Sequence, residues 1–313
     1  MQKRWGNEFR DSRDWPEYNE QLVVRGEFYL DFEFAGKWNE ELAGMNEGKR
    51  GGQYRFPSSF IRWLAVWKQW IDYRGLEGVT RSLAGMNVIP SAIDYTTIWY
   101  RVHAMKPEIA LPAEDKLEAA SDGSGMRSGN AGEYRTMRYG RRGKKRKYVV
   151  VVITADVRRK KLLAVDAHIE GEGKAEPVIA GRHLKRLKSD GKAISRFYGD
   201  GAYDTNDMFD ALGGASSAIK IRANASTDYC RGSKRRRREV REYNSLGYRK
   251  WAEQSGYGMR WPGTEGIFSA AKRKFGENLM ATSGRGLTAE AIQRMWAYDI
   301  IKCYGEDMVT KTM

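Results

Sequence analysis

The stretch KYVVVVITA, residues 147–155, and the run KLLAVDAHI, residues 161–169, decide the fold of this chain. Both are rich in apolar and β-branched residues over a length typical of strands that are buried in a sheet. A short turn containing Arg158–Lys161 joins them. Two such runs separated by a few residues predict a β-hairpin.

The elements around this hairpin predict an α/β fold. A strand over Leu117–Ser121 precedes it, and helices and strands alternate after it until polar and basic residues break the pattern in an insertion, 222–256. Three consecutive strands followed by this alternation predict a mixed sheet flanked by helices, in a domain over 111–313. The later elements are predicted at Glu176–Lys188, Ala193–Tyr198, Asp204–Leu212, Ala218–Ile221, Thr264–Phe275 and Thr288–Tyr304.

Residues 54–110 predict a small helical domain. Apolar residues recur there at helical spacing, and serine, glycine and proline mark the ends of the helices. The predicted helices are a first that begins at Ser58 or Ser59 and ends at Gly75, a second over Leu76–Ala84, and a third over Ala92–Met105 capped by Ser91.

Three helices with tight turns fit a helix-turn-helix domain, whose last helix enters the major groove of DNA. In that arrangement Arg101, Thr96, Thr97 and Tyr100 face DNA. The alternative is a helical bundle whose tryptophans form only its core. Residues 1–53 mix aromatic and acidic residues without a period, and they predict either an ordered arm or an oligomerisation segment.

The charge of the chain predicts a polyanionic partner. Lys and Arg exceed Asp and Glu by 55 − 40 = 15, and the excess lies beyond the first fifty residues, which carry eight basic against eleven acidic residues. Such a segregated surplus is typical of nucleic-acid binding, because neutralised phosphates release counterions. An anionic membrane surface is the rival partner.

The sequence gives little support to a membrane protein, a secreted protein or a zinc-binding protein. The longest apolar run, residues 147–155, is far below the roughly 20 residues of a membrane span, and the N-terminus lacks a signal-peptide core. Cys230 and Cys303 stand apart, and the three histidines are scattered. Neither a disulfide framework nor a zinc site is predicted, and we expect a cytoplasmic protein that does not bind membranes.

Three acidic residues occupy places where a site could form. Asp122 is predicted to end the first strand before Gly123, Asp200 ends the fourth between two glycines, and Glu265 opens a helix. Open sheets place their sites beyond strand ends, and clustered carboxylates are the ligands of Mg²⁺. Taken singly, each acid also fits ordinary turn or helix-dipole chemistry. Asp156 and Asp166 are weaker candidates, since neither lies beside glycine at a strand end.

The motifs around these acids resemble those of DDE-type transposases of prokaryotic insertion sequences. GDGAYD, residues 199–204, is similar to the segment around their second catalytic aspartate, and SDGSG, residues 121–125, fits their first acidic strand. Residues 73–78, YRGLEG, resemble the region before their helix-turn-helix. The Tyr-Arg-Glu-Lys signature around their third acid is matched, with one extra residue between Arg260 and Glu265, by Tyr257, Arg260, Glu265 and Lys272.

The resemblance implies a ribonuclease H-like catalytic domain with Asp122, Asp200 and Glu265 as catalytic residues that hold two Mg²⁺ or Mn²⁺ ions. It implies an enzyme that cleaves insertion-sequence ends and transfers the 3′-OH strand into target DNA. The expected partners are double-stranded DNA, as terminal inverted repeats and target, and a second copy in a synaptic homodimer. Lys272, Arg260 and Tyr257 would contact DNA in a nucleoid-associated, prokaryotic protein.

Two basic runs add predicted contacts to the DNA backbone. Such runs bind phosphates without sequence preference, although solvated loops or a nuclear-import signal are alternatives. The residues are Arg141, Arg142, Lys144 and Lys145 before the hairpin, and Arg235, Arg236, Arg237 and Arg238 in the insertion.

Two other functions compete with transposition. The first is a catalytically inactive or domesticated DNA-binding protein, and retention of all three acids argues against it. The second is a ribonuclease H-like nuclease that never joins strands. The sequence does not encode a readable terminal repeat, target preference or oligomeric interface.

Overall fold

A computed structural model of the chain describes residues 3–4, 7–8, 13–129, 148–226 and 232–312. The chain divides into two compact units. The sheet unit comprises Met1–Asp11 and Ile109–Ile292, and the helical unit comprises Ser12–Glu108 and Gln293–Met313.

Helices account for most of the described chain. In chain order they are α1 Trp15–Glu27, α2 Glu33–Gly36, α3 Trp38–Asn46, α4 Ser58–Trp67, α5 Tyr73–Gly85, α6 Tyr95–Ala104, α7 Glu176–Ser189, α8 Asn206–Leu212, α9 Lys234–Ser255, α10 Arg260–Gly263, α11 Glu265–Phe275 and α12 Gly284–Thr312. Short 3₁₀ turns lie at Phe28–Leu30, Gly201–Tyr203 and Tyr257–Met259. Within the described residues, no helix is long and apolar enough to cross a bilayer.

The sheet unit contains a six-stranded mixed sheet in the order β3-β2-β1-β4-β5, with β6 pairing the far end of β1. The first three strands are antiparallel, whereas β4 runs parallel to β1 and β5 parallel to β4. This mixed sheet with flanking helices confirms the predicted ribonuclease H-like fold. The strands are β1 Lys116–Ser128, β2 Tyr148–Asp156, β3 Lys161–Ile169, β4 Ala193–Gly199, β5 Ser216–Ile219 and β6 Asn278–Leu279, and a separate pair joins Lys3–Arg4 to Asn7–Glu8.

The predicted hairpin is confirmed as β2 and β3, in which β2 pairs with strands on both edges and most of its apolar residues are buried. Helices α7 and α8 cover one face of the sheet, where Leu184 and Phe209 pack against Phe197 of β4. The insertion 222–256 is not wholly irregular, since it contains α9, a helix with non-helical backbone at Gly247.

A chain of polar side chains, buried except for Asp166 at its end, joins α7 to the three antiparallel strands. The Ser121 and Thr154 hydroxyls lie 2.7 Å apart, and the Thr154 hydroxyl lies 2.8 Å from Nδ1 of His183. Nε2 of His183 lies 3.2 Å from Asp166, and this hydrogen bond holds the pKa of Asp166 below its usual value. The chain fixes the position of α7 on the sheet because each buried group depends on the next for its partner.

Thr154→Val should therefore destabilise the protein by about 1–3 kcal/mol, because it removes a shared partner and leaves polar groups of Ser121 and His183 unsatisfied. Urea denaturation of the full chain measures this change. Thr310→Val is the matched control, since Thr310 is exposed and its hydroxyl bonds only within its helix. Equal losses in the two variants would contradict the structural role of this polar chain.

The helical unit is built on clustered aromatic side chains. Phe34 and Trp38, which showed no period in the sequence, pack on Phe60 of α4 with ring centroids 5.0 and 5.2 Å away. Residues 13–53 thus belong to the same compact unit as residues 54–108, and no boundary between units falls at residue 53. The end of the chain joins this unit too, because Gln293 and Trp296 of α12 donate hydrogen bonds to the carbonyls of Val102 and Glu108.

Aspartate side chains set the starts of α5 and α6, and they correct two predicted boundaries. Asp72 accepts from the amide of Gly75 at 2.6 Å, so Gly75 lies in the first turn of α5 and does not end α4. Asp94 caps α6 in place of the predicted Ser91, accepting from the amide of Thr97 at 2.9 Å. Aspartate at these positions satisfies amides that a helix start leaves without partners.

Asp94→Ala should cost about 1 kcal/mol of stability at neutral pH, whereas Asp94→Asn should cost less because it keeps an acceptor. Hydrogen bonds from the Thr96 and Thr97 hydroxyls and the Thr97 amide hold the pKa of Asp94 below its ordinary value. A carboxyl with a lowered pKa stabilises the fold above its unfolded pKa of about 4 and loses that contribution as the pH falls. Thermal unfolding from pH 7 downward should show the difference between wild type and Asp94→Ala shrinking below about pH 4, and a difference independent of pH would contradict this assignment.

Candidate active site

The three predicted acids line one open cavity of about 430 Å³ in the sheet unit. They come from positions far apart in the chain, on β1, after β4 and at the start of α11. The residues that line the cavity are Asp122, Gly123, Ser124, Asp200, Arg260, Glu265, Phe268, Ser269 and Lys272.

Asp122 and Asp200 meet because the parallel pairing of β1 with β4 stops just before both of them. The last paired residues are Ala120 and Tyr198, and beyond them the two backbones separate. Asp200 follows β4 directly, as predicted. Asp122, however, does not end its strand, because β1 continues to Ser128 through pairing with β2 and β6. Both acids therefore lie where a crevice opens between neighbouring strands.

Asp122 is largely buried, with 15% of its side chain exposed. Burial raises the pKa of Asp122, and the negative charge of Asp200 raises it further, whereas Arg260 and hydrogen bonds from Gly123 and Thr264 lower it. The net shift is upward. Asp200 caps the following 3₁₀ turn by accepting from the amide of Ala202 at 2.8 Å. The two carboxylates are thus held close enough for their charges to interact.

Glu265 opens α11, as predicted, and Gly263 brings this segment close to the sheet. A Cβ on Gly263 would lie only 3.0 Å from Cα of Val157, so a larger residue would push α10 and α11 outward. The Thr264 hydroxyl lies 3.4 Å from Oδ2 of Asp122 in the same segment. A close backbone approach therefore sets the distance between Glu265 and the sheet.

Arg260 lies inside the cavity and contacts two of the acids. Its guanidinium is 3.5 Å from Asp122 and 3.6 Å from Glu265, and only 8% of its side chain is exposed. Tyr257 is also buried, 5.6 Å from the Arg260 guanidinium, and burial raises the pKa of Tyr257 to about 12. Arg260 thus neutralises part of the charge of these two acids. A contact of either residue with DNA stays a prediction.

Lys272 lies two turns after Glu265 on α11, and its ammonium group has partners within the protein. Nζ donates to the carbonyl of Gly125 at 2.9 Å and lies 3.4 Å from Glu277. These contacts hold α11 against β1 at the rim of the cavity.

The donors in the cavity fit a divalent cation in chemistry, because carboxylate oxygens are the ligands that Mg²⁺ and Mn²⁺ prefer. The buried hydroxyl of Tyr203, which the charges of these acids reach, also has no hydrogen-bond partner among the residues that the structure describes. Across the described residues, no three His, Cys, Asp or Glu side chains stand close enough to hold a metal as they are placed. Arg260 supplies the positive charge shared by Asp122 and Glu265 in this arrangement.

Glu176 is a fourth acid at this site, and the sequence analysis did not single it out. It opens α7, and its carboxylate lies against Gly123, the neighbour of Asp122. Burial, followed by the charges of Asp122 and Asp200, raises the pKa of Glu176. The only sequence signal was an acid in the first turn of a helix, which is ordinary compensation of the helix dipole.

The other acids that competed for a role have local partners. Asp156 is buried at the end of β2 and accepts from the amide of Arg158 at 2.8 Å, which closes the turn to β3. Asp166 accepts from His183. In this structure Asp156 thus serves the turn between β2 and β3, and Asp166 serves the position of α7.

Two of the arginines that begin α9 are engaged inside the protein. Arg235 donates to the carbonyls of Gly213 and Ala215. Arg236 donates to both oxygens of buried Asp204, at 2.6 and 3.0 Å. Asp204 belongs to the GDGAYD motif, so this pair ties α9 to the loop that carries Asp200. The run is therefore partly structural.

The remaining predicted DNA contacts lie in three places. Arg237 donates weakly to the carbonyl of Gly232, and Arg238 is exposed beside a cleft between α9 and the loop before β5. Arg101 is half-buried in the helical unit, where it donates to the carbonyl of Phe56 at 3.2 Å and covers the ring of Tyr54. Arg141, Arg142, Lys144 and Lys145 lie outside the described residues.

The face that α6 exposes is aromatic rather than basic. Tyr95, Trp99 and Tyr100 are 37%, 49% and 66% exposed. Thr96 and Thr97, which were predicted to face DNA, donate their hydroxyls to Asp94. A role for this helix in reading DNA stays a prediction.

Comparison with known proteins supports one family. A family model described as "Transposase DDE domain" matches residues 23–131, a segment that contains Asp122 but not Asp200 or Glu265. The resemblance to DDE transposases is thereby confirmed. No curated protein matches the chain.

Two solved structures align along nearly the whole chain at low similarity. The structure of the Mos1 strand transfer complex is 10% identical with a TM-score of 0.29, and that of a pre-cleavage Mos1 transpososome is 12% identical with a TM-score of 0.21. Each alignment covers 97% of this chain and 98% of the other. Scores this low carry no structural conclusion.

Arg236→Gln should destabilise the protein by about 3 kcal/mol, because it leaves the buried carboxylate of Asp204 without its cation. Arg238→Gln removes the same charge from an exposed position and should change stability by less than about 0.5 kcal/mol. Denaturant unfolding of both variants checks the contrast. If both lost equal stability, the structural role of Arg236 would be wrong.

Proposed function

We propose that this chain, which resembles transposases with a DDE domain, is a DNA transposase whose catalytic carboxylates are Asp122, Asp200 and Glu265. One observation carries the proposal: these acids, separated by tens of residues in the sequence, line a single cavity beyond the end of the β1–β4 pairing. Electrostatic repulsion makes it unfavourable in free energy to bring three carboxylates together, and a bound cation offsets this cost.

Asp122, Asp200 and Glu265 would hold divalent Mg²⁺ or Mn²⁺, two ions in the proposed site. When bound, such ions activate an attacking hydroxyl and stabilise the leaving oxygen in phosphoryl transfer. The residues of the protein position the acids and compensate part of their charge. β1 and the end of β4 position Asp122 and Asp200, α11 carries Glu265, and Arg260 in the cavity compensates the charges of Asp122 and Glu265.

The proposed substrate is double-stranded DNA, first the ends of an insertion sequence and then the target. The basic surplus of 15 charges supports a polyphosphate substrate, and Lys272 at the rim of the cavity provides a cation near the acids. Cleavage would free a 3′-OH strand that the same site joins to target DNA. Two ends must be handled together, so the proposed working form is a homodimer.

Asp122→Asn, Asp200→Asn and Glu265→Gln should each lower strand cleavage by at least about a hundredfold, because each removes charge that positions the ions. Binding to duplex DNA should remain within about twofold, since none of these side chains lies in a basic surface. Cleavage of labelled DNA in Mg²⁺ and a gel-shift titration measure the two effects. Asp190→Asn, at an exposed position of the same unit, is the matched control.

Joining separates a transposase from a nuclease. With labelled 3′-OH ends and Mg²⁺, a transposase yields a joined product of increased length, whereas a nuclease yields only shortened strands. Full cleavage in any of the three variants would remove that residue from the site. Cleavage without joined product would favour the nuclease.

A further inference from the structure

The carboxylate of Glu176 lies directly against the backbone of the residue that follows Asp122. A Cβ placed on Gly123 would lie 2.3 Å from Oε1 and 2.9 Å from Oε2 of Glu176. A larger residue at position 123 would force this carboxylate to move, so glycine leaves room for the position that Glu176 occupies. Gly123 and Glu176 therefore form one feature of the site.

Glu176 is partly buried, and no hydrogen bond or salt bridge joins it to another residue in the described part of the chain. A buried carboxylate without a partner costs free energy, and structural glutamates usually acquire one. Compensation of the helix dipole does not require burial, because exposed acids in a first turn supply it equally well. The position of Glu176 therefore calls for a cation.

Tyr203 provides a second, independent observation at the same place. Its side chain is fully buried, and its hydroxyl has no hydrogen-bond partner within the described residues. The ring is held against Phe197, with centroids 5.9 Å apart. The charges of Glu176, Asp122 and Asp200 all reach this hydroxyl, that of Glu176 most strongly. A fixed donor without an acceptor thus faces the group of acids.

The polar chain through His183 holds Glu176 in place. Residues 176 and 183 are seven apart and share one face of α7, two turns from each other. His183 is bonded to Thr154 on β2 and Asp166 on β3, so α7 cannot slide along the sheet without breaking these bonds. The backbone at the start of α7, from which Glu176 reaches Gly123, is consequently held in place on the sheet.

We propose that Glu176 is a fourth carboxylate of the metal site, facing the same divalent ions as Asp122 and Asp200, and that Tyr203, whose buried hydroxyl lies within reach of the charges of these acids, is a positioning residue of the site. This inference rests on the proposed function, since it assumes that the cavity binds such ions. Glu176 lies at the start of α7, whereas Glu265 lies at the start of α11. The site would then draw its carboxylates from two strands and two helices.

Manganese binding tests the inference without any catalytic readout. The full chain is stripped with EDTA and titrated with Mn²⁺ by calorimetry in the absence of DNA, as wild type, Glu176→Gln, Asp122→Asn and Asp200→Asn. Glu176→Gln should weaken Mn²⁺ binding at least about tenfold, because it removes a ligand charge. Glu170→Gln is the matched control, since it removes the same charge from an exposed position before α7 and should leave binding unchanged.

Thermal unfolding distinguishes a metal ligand from a structural glutamate. Without metal, Glu176→Gln should melt at or above the wild-type temperature, because it relieves repulsion among acids, and it should gain less from added Mn²⁺. Tyr203→Phe should likewise keep the metal-free stability and weaken Mn²⁺ binding by a few fold. Glu176→Asp, which keeps the charge on a shorter side chain, should bind Mn²⁺ better than Glu176→Gln.

The possible outcomes separate this inference from the proposed function. If Asp122→Asn and Asp200→Asn lose Mn²⁺ while Glu176→Gln binds normally, the fourth ligand is wrong and the proposed function stands. A lower melting temperature of metal-free Glu176→Gln with unchanged Mn²⁺ affinity would assign Glu176 a structural role and also overturn the inference. If wild type binds no Mn²⁺, the metal-dependent function itself fails, and the inference fails with it.

Discussion

Repulsion between carboxylates that the backbone does not allow to separate is the constraint on which this site depends. Asp122 is fixed by pairing of β1 with β2, and Asp200 follows β4 at the point where β4 leaves β1. Neither can withdraw without breaking the sheet. Arg260 relieves part of the strain by lying 3.5 Å from Asp122 and 3.6 Å from Glu265. The sheet holds the two aspartates near each other, and the segment from Tyr257 to Glu265 places the Arg260 guanidinium beside Asp122 and Glu265.

The sequence predicted the fold wherever burial leaves a continuous apolar pattern. Residues 161–169 form the predicted strand because they pair with β2 along their length, and Leu162, Leu163 and Ile169 are buried. Beyond Ser121, however, β1 is rich in glycine and serine and lacks a strand pattern. It stays extended because Gly123 and Gly125 pair with Val152 and Val150. A strand whose stability comes from its partner cannot be recognised in its own residues, and the predicted end of β1 was wrong for that reason.

Three acids of the site could be predicted from the sequence, but Glu176 and the internal partners of the arginines could not. Asp200 and Glu265 carry local signals, because each follows or opens an element beside glycine or proline. Arg260 was indicated by the signature, yet neither it nor Arg236 carries a signal for an acidic partner within the protein, since a lone arginine and a run of arginines both indicate solvent-exposed charge. Only the fold reveals that Arg236 meets buried Asp204, at 2.6 Å. Some of the arginines that suggested DNA contacts thus bind partners within the protein. The remaining positive charge is available to bind a polyanion.

These internal bonds also explain how the site keeps its geometry while its charges remain unbalanced. Arg236 anchors the loop after β4 through Asp204, the His183 chain anchors α7, and Lys272 anchors α11 through the carbonyl of Gly125. Each anchor lies one or two turns, or a few residues, from an acid rather than on it. Because the stabilising contacts are separate from the acids, a cation can be gained or lost in the cavity without releasing the elements around it. The contacts that stabilise the fold therefore surround the acids, while the acids themselves repel one another. This arrangement suits a site that binds charged groups.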